Sequence, residues 1–186
     1  GITGTWDAST GSLALSGSAS KAHYESALES ITYSNSSDNP STTSRTISWI
    51  VNDGDSNSTT ATSTISISAS NDSPAVSNAG GTLAYTENNP ASVIDSSLTI
   101  TDPDNTNLDS ASIQISANFI SAEDTLSFTD ANGIAGTWNA STGILALSGS
   151  ASKANYASAL ESITYTNSSE HPSTTSRTIS WIVNDG

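Results

Sequence analysis

The chain has 186 residues, 18 acids against 4 bases, a net charge of −14, and neither cysteine nor methionine. That charge excludes nucleic acid, which needs a basic footprint, and excludes an anionic membrane surface; it favours cations as partners. The missing sulfur excludes disulfides, thiolate chemistry and thiolate metal sites, and no run approaches the roughly 18 apolar residues of a membrane span.

In chain order, GITGTWDASTG (1–11) sets a tryptophan before a turn. SKAHYESALES (20–30) is rich in helix formers behind a serine cap. TSTISIS (62–68) alternates apolar with polar residues, as half-buried strands do. SASNDSPAV (68–76) carries turn formers and Pro74, and reads as a short stiff linker. TLAYT (82–86), SLTIT (97–101), ASIQIS (111–116) and TLSFT (125–129) are strand patterns, as are ILALS (144–148), SITYT (162–166) and RTISWIV (177–183). SKANYASALES (152–162) is a second short helix. Many short strands with turns between them predict an all-β sandwich. Trp49 and Trp181 sit among apolar residues and are expected in the core. Trp6 and Trp138 fit the core too, or a sugar-stacking face.

Residues 1–54 recur at 133–186 with eight differences, so 46 of 54 positions are identical. An offset of 132 residues exceeds a solenoid unit and has the size of a domain. The register assigns 1–72 to the second half of one unit and 73–186 to the next unit without its last strand. The chain is therefore expected to be an excerpt of a longer tandem array.

Between Arg45 and Lys153 stand eleven acids and no base. Several lie in turns beside strands, where short Asp and Asn side chains supply the 6 to 8 oxygens that Ca²⁺ takes. Zn²⁺ is disfavoured by the absence of Cys and the scarcity of His. TDPDNTN (101–107) is not an EF-hand, because Asn107 and Ile113 stand where that loop needs Gly and Glu.

TDPDNTN resembles the acidic segment that follows the second strand of cadherin repeats, with Asn105 or Asn107 in its amide position. YTENNPA (85–91) resembles the P-E-N-x-P motif, TWNASTGIL (137–145) the F-x-I-D-x-x-T-G-x-I stretch, VNDGDSN (51–57) the A-x-D-x-G loop, and SASNDSP (68–74) the D-x-N-D-N-x-P linker. The matches run in order through nearly a whole repeat. The L-D-R-E motif is missing, replaced by the helical ASKANYASALES, a variant similar to the cadherin-like tandem repeats of giant bacterial surface proteins and adhesins. The resemblance implies Ig-like Greek-key sandwiches with one short helix each, and Ca²⁺ at their poles. Asn71, Asp72, Asp102, Asp104, Asn107 and Asp185 would gather at one pole of the second unit, with Asp53 and Asp55 at that of the first. Glu87 would lie at the opposite pole. Asp109, just past the motif, reads as an ordinary surface acid.

Three functions compete. The first is a Ca²⁺-rigidified structural and adhesive array, extracellular or at the cell surface, whose partners are neighbouring repeats in the same chain or filament, or surface glycans. The second is a carbohydrate-binding module using Trp6, Trp138, Tyr24 or Tyr156. An enzyme is not expected, since His23 and His171 are replaced by Asn155 and Asn39 at the corresponding positions of the other copy and no triad or nucleophile elbow is present.

Overall fold

A computed structural model describes residues Gly1–Gly186, which divide into two compact units, Gly1–Ser37 and Asp38–Gly186. The first unit holds β1 (Thr3–Asp7), β2 (Ser12–Ser16) and α1 (Lys21–Glu29). β1 and β2 form an antiparallel hairpin, and α1 buries no residue fully.

The second unit begins with the hairpin β3 (Arg45–Trp49) and β4 (Ala61–Ile65), followed by the short strands β5 (Ala75–Ser77), β6 (Ser92–Val93) and β7 (Thr99–Thr101). Next come β8 (Asn107–Ala117), β9 (Asp124–Ser127), β10 (Ala135–Asn139) and β11 (Ile144–Ser152). α2 (Lys153–Glu161), β12 (Thr164–Asn167) and β13 (Thr178–Asn184) complete it. A four-stranded sheet in the order β10-β11-β8-β13 packs with a three-stranded sheet, β6-β12-β9, while β5 pairs with β7. The all-β sandwich expected from the alternating patterns is present, with one helix in each copy of the repeat.

The core lies between the sheets. Ile113 and Ile115 of β8, Leu126 of β9, Leu145 and Leu147 of β11, and Ile163 just before β12 are all at most 2% exposed. Their alternation with half-buried or exposed neighbours is the period-2 signature of a strand with one face turned outward. α2 closes one side with Tyr156, Ala159 and Leu160. Burying each such aliphatic side chain stabilises the fold by roughly 1.5–3 kcal/mol.

Local chemistry explains the connections. Asn132 and Gly133 both have positive φ, 56° and 80°, and close a two-residue turn between Ala131 and Ile134, as Asn-Gly pairs favour. At Gly149, with φ 127°, β11 has one residue more than β8: Ser148 faces Ser110 while Ala151 faces Leu108. A Cβ there would lie 2.1 Å from the Gly133 carbonyl oxygen, so only glycine fits. The bulge frees the Gly149 carbonyl to accept the Tyr156 hydroxyl at 2.7 Å, and the Ser152 side chain caps α2 through the Asn155 N–H at 3.2 Å. Asp95, 8% exposed, ties a loop together. It accepts the Gly81 N–H at 2.9 Å and the Gly80 N–H at 3.2 Å on one oxygen, and Ser97 Oγ at 2.7 Å on the other.

One strand pattern has a different outcome. TLAYT (82–86) forms no ladder, although Leu83 and Tyr85 pack on the core and Tyr85 meets Tyr165 edge-on at 5.0 Å. Alternation reports which side chains are inward; it does not require a hydrogen-bonded neighbour. The GTW stretches lie in strands, β1 and β10, that run directly into the expected turns at Asp7 and Asn139.

The two copies give a paired prediction. Leu145 is 2% exposed and its counterpart Leu13 is 41% exposed. Leu145→Ala should cost about 2–5 kcal/mol in denaturant unfolding, and Leu13→Ala within roughly 0.5 kcal/mol of nothing. Equal losses would contradict the different environments described here.

Candidate metal centre

Three strand ends converge at one end of the sandwich. β7 runs into Asp102, the turn Asp102–Asn105 leads into β8, and β13, antiparallel beside β8, ends at Asp185. Asn71 and Asp72, just before β5, reach the same place. Asp102 Oδ1 accepts the Asn105 N–H at 2.7 Å and the Asp104 N–H at 3.1 Å, a turn closed by its own first residue. Asp104 Oδ2 accepts the Asp72 N–H at 3.0 Å. Asp185 Oδ2 accepts from Asn71 Nδ2 at 2.8 Å and Asn105 Nδ2 at 2.9 Å, and Asn105 also donates to Asn71 Oδ1 at 2.9 Å.

Oxygens of Asp102, Asp104 and Asp185 lie within 4.8 Å of one another, so the three carboxylates can hold a metal ion. Asp102 Oδ2 and Asp104 Oδ1 are buried without a hydrogen-bond partner. An uncompensated buried carboxylate oxygen is costly, so this pair is the local feature that a cation would relieve. No basic side chain does so. Lys153 Nζ donates instead to the backbone carbonyls of Asn105, at 2.6 Å, and Asp102, at 2.7 Å. The Asn105 N–H, the Asp104 groups and the Lys153 charge, in that order, hold the Asp102 carboxyl below its ordinary value.

The expected ligands separate into those the fold brings together and those it does not. Asn71, Asp72, Asp102, Asp104 and Asp185 share one hydrogen-bonded cluster. The amide in that cluster is Asn105; Asn107 is exposed at the first position of β8, opposite Ser152. Asp53 and Asp55 lie in the exposed β3–β4 connection. There Asp53 Oδ1 caps its own turn by accepting the Ser56 N–H at 2.9 Å and the Asp55 N–H at 3.0 Å, and these bonds lower its pKa. Glu87 is exposed in the turn after Tyr85, 3.5 Å from Asn88 Nδ2.

A second polar cluster was not singled out by sequence. Asp124 is 1% exposed at the start of β9. Its Oδ1 accepts the Tyr165 hydroxyl at 2.6 Å and Asn167 Nδ2 at 2.7 Å; its Oδ2 accepts the Ile120 N–H at 2.8 Å and Arg177 Nε at 3.2 Å. Burial alone would raise the Asp124 pKa, but the Tyr165, Ile120, Arg177 and Asn167 bonds outweigh it and leave the carboxyl below its ordinary value. Burial, then Asp124, pushes Tyr165 up to about 12. Tyr165 and Asn167 are two residues apart on β12 and so share one face, but nothing local to Asp124 announced that it would meet them. The rings considered for sugar stacking are partly consumed by packing: Tyr156 is 0% exposed, and Trp138 packs edge-on against Phe119 at 6.1 Å.

The chain matches no family model and no solved structure. Among curated proteins it is similar to halomucin of Haloquadratum walsbyi, with 37% identity over 91 residues, 46% of this chain. That stretch is 1% of halomucin, so the chain spans a very small part of the relative it matches.

Arg177→Met should strip the buried Asp124 of its only cationic partner and cost about 3–5 kcal/mol in denaturant unfolding. Its counterpart Arg45, which donates only to the Ser41 and Thr43 carbonyls, should cost under roughly 1 kcal/mol when replaced the same way. The acid limb follows from two depressed carboxyls, Asp124 and Asp95, the latter lowered to about 2 by Ser97 and the Gly81 N–H. A depressed carboxyl stabilises the fold above its unfolded pKa of about 3.9, and that contribution disappears as pH falls through the folded value. Thermal unfolding should therefore be nearly flat from neutral pH to about 5 and fall below about 4. Asp95→Asn should flatten the fall by on the order of 1–2 kcal/mol.

Proposed function

We propose that this chain is part of an extracellular array of cadherin-like sandwich repeats, in which Ca²⁺ held by Asp102, Asp104 and Asp185 stiffens the segment joining one repeat to the next. The observation that carries the reading is the pair of buried carboxylate oxygens without partners, Asp102 Oδ2 and Asp104 Oδ1, inside a group of three acids. Oxygens on opposite sides of one Ca²⁺ lie about 5 Å apart, twice a bond of 2.3–2.6 Å, which matches the spread of the three carboxylates. Asn71 and Asp72 belong to the linker and hydrogen-bond two of the three acids. A cation fixing those acids therefore also fixes the linker. Without it, mutual repulsion of the carboxylates favours a looser junction.

The near-identical internal copies and the similarity to part of halomucin, a very long polypeptide named as a mucin, support a repeat of an extracellular surface protein. In this reading the partners are neighbouring repeats in the same chain or filament, and the role is structural and adhesive rather than enzymatic.

Calorimetry of the chain with CaCl₂ tests this. We expect saturable binding with Kd on the order of 10⁻⁴ to 10⁻³ M. Ca²⁺ at 100 times Kd should add about 2.7 kcal/mol of stability, reversed by EDTA. Asp104→Asn and Asp185→Asn should each weaken binding by about tenfold or more, while Asp109→Asn leaves it unchanged. No Ca²⁺ heat and no thermal shift would sink the reading.

A further inference from the structure

Lys153 is the first residue of α2, and it is tied to the acidic turn by main-chain contacts alone. Its ammonium donates to the Asn105 carbonyl at 2.6 Å and to the Asp102 carbonyl at 2.7 Å. Its own backbone N–H donates to the Thr106 carbonyl at 3.2 Å. Ser152, one residue earlier, pairs with Asn107 in the β11–β8 ladder. The start of α2 therefore takes up three carbonyls between Asp102 and Thr106. The same turn is closed by Asp102 Oδ1, which accepts the Asp104 and Asn105 N–H groups. With the backbone held in this way, the buried oxygens left without partners are Asp102 Oδ2 and Asp104 Oδ1.

Neither helix stability nor charge pairing accounts for a lysine at this position. The N-terminal end of a helix carries partial positive charge, which disfavours a cation in the first turn. Lys21 nevertheless begins α1 as Lys153 begins α2. Both ion pairs of the chain belong to Arg177, so Lys153 bridges no carboxylate. Its charge reaches Asp102 as the weakest of the influences that hold that carboxyl down, behind the hydrogen bonds of the turn itself. What Lys153 does most directly is hold two carbonyls, 102 and 105, at one point.

We propose that Lys153 is a positioning residue for the cation site, a tethered ammonium that fixes the Asp102–Asn105 turn so that the Asp102 and Asp104 carboxylates stand ready for a divalent ion. This rests on the cation reading given above and adds a sign to it. A positive charge close to a cation site repels the ion, so by Coulomb's law alone its removal tightens binding. Positioning acts the other way. Without Nζ two part-buried carbonyls lose their donor and the turn relaxes, and the arriving ion has to order it again. Groups that orient metal ligands from behind behave like this, and their loss weakens metal binding roughly 10- to 100-fold.

Calcium calorimetry and amide hydrogen exchange on the full chain test the assignment. K153M should weaken calcium binding about tenfold or more. K153R keeps both charge and donors and should restore most of the affinity. K153Q keeps a donor without the charge; it should lie between the two, and it serves in place of K153M if that variant does not fold. In EDTA, with no ion bound, the Asp104 and Asn105 amides of K153M should exchange roughly tenfold faster than those of the parent chain, while Ile113 in the core is unchanged. Binding that is tighter or unchanged in K153M would overturn the positioning role. So would equal weakening in K153M and K153R, or Asp104 and Asn105 amides that exchange as in the parent. Absence of calcium uptake by the parent chain overturns the cation reading and this role with it, whereas uptake with an indifferent K153M overturns this role alone.

Discussion

β8 is the strand on which the sandwich depends. It lies between β11 and β13 in the larger sheet, and its Leu108, Ile113 and Ile115 are at most 2% exposed. Because residues 1–54 repeat 133–186 almost unchanged, the chain contains its own control for what that strand does. With β8 alongside, ILALS becomes a buried strand; in the first unit SLALS is an exposed hairpin arm. Sequence identity is not sufficient to place a residue in a core. The apolar face has to meet another one.

Features that need no distant partner are the same in both copies. Ser20 caps α1 as Ser152 caps α2. Tyr24 donates to the Gly17 carbonyl as Tyr156 does to Gly149. Asp7 and Asn139 close equivalent turns on Ser9 and Ser141. Features that need the first half of a repeat are present in only one copy. Tyr165, hydrogen-bonded to Asp124, is 9% exposed, whereas Tyr33 is 47% exposed.

This division also explains what was legible beforehand. Alternation located β4, β7, β8, β9, β11, β12 and β13, and the serine caps located both helices, because period and capping are encoded locally. The acids of the TDPDN turn could be marked as a group from their spacing and from the resemblance to cadherin repeats. Which amide joins them could not, since the choice of Asn105 over Asn107 depends on where β8 starts. The Asp124 cluster was illegible for a similar reason. Arg177 lies 53 positions from Asp124, and only the pairing of β9 with β12 brings Tyr165 and Asn167 to the carboxylate. TLAYT shows the converse, an inward-facing pattern without a ladder.

The tyrosine that hooks back onto the glycine bulge has a consequence in time. Its loop closes over seven residues, whereas the β8 to β13 ladder joins positions more than sixty apart. Short closures form early and long ones late, since loop entropy must be overcome before a distant contact can offset it. Synthesis from the N-terminus also delivers β8 before either of its flanking strands. During synthesis β8 therefore stays unpaired until the β10–β11 hairpin and α2 that cover it have been made.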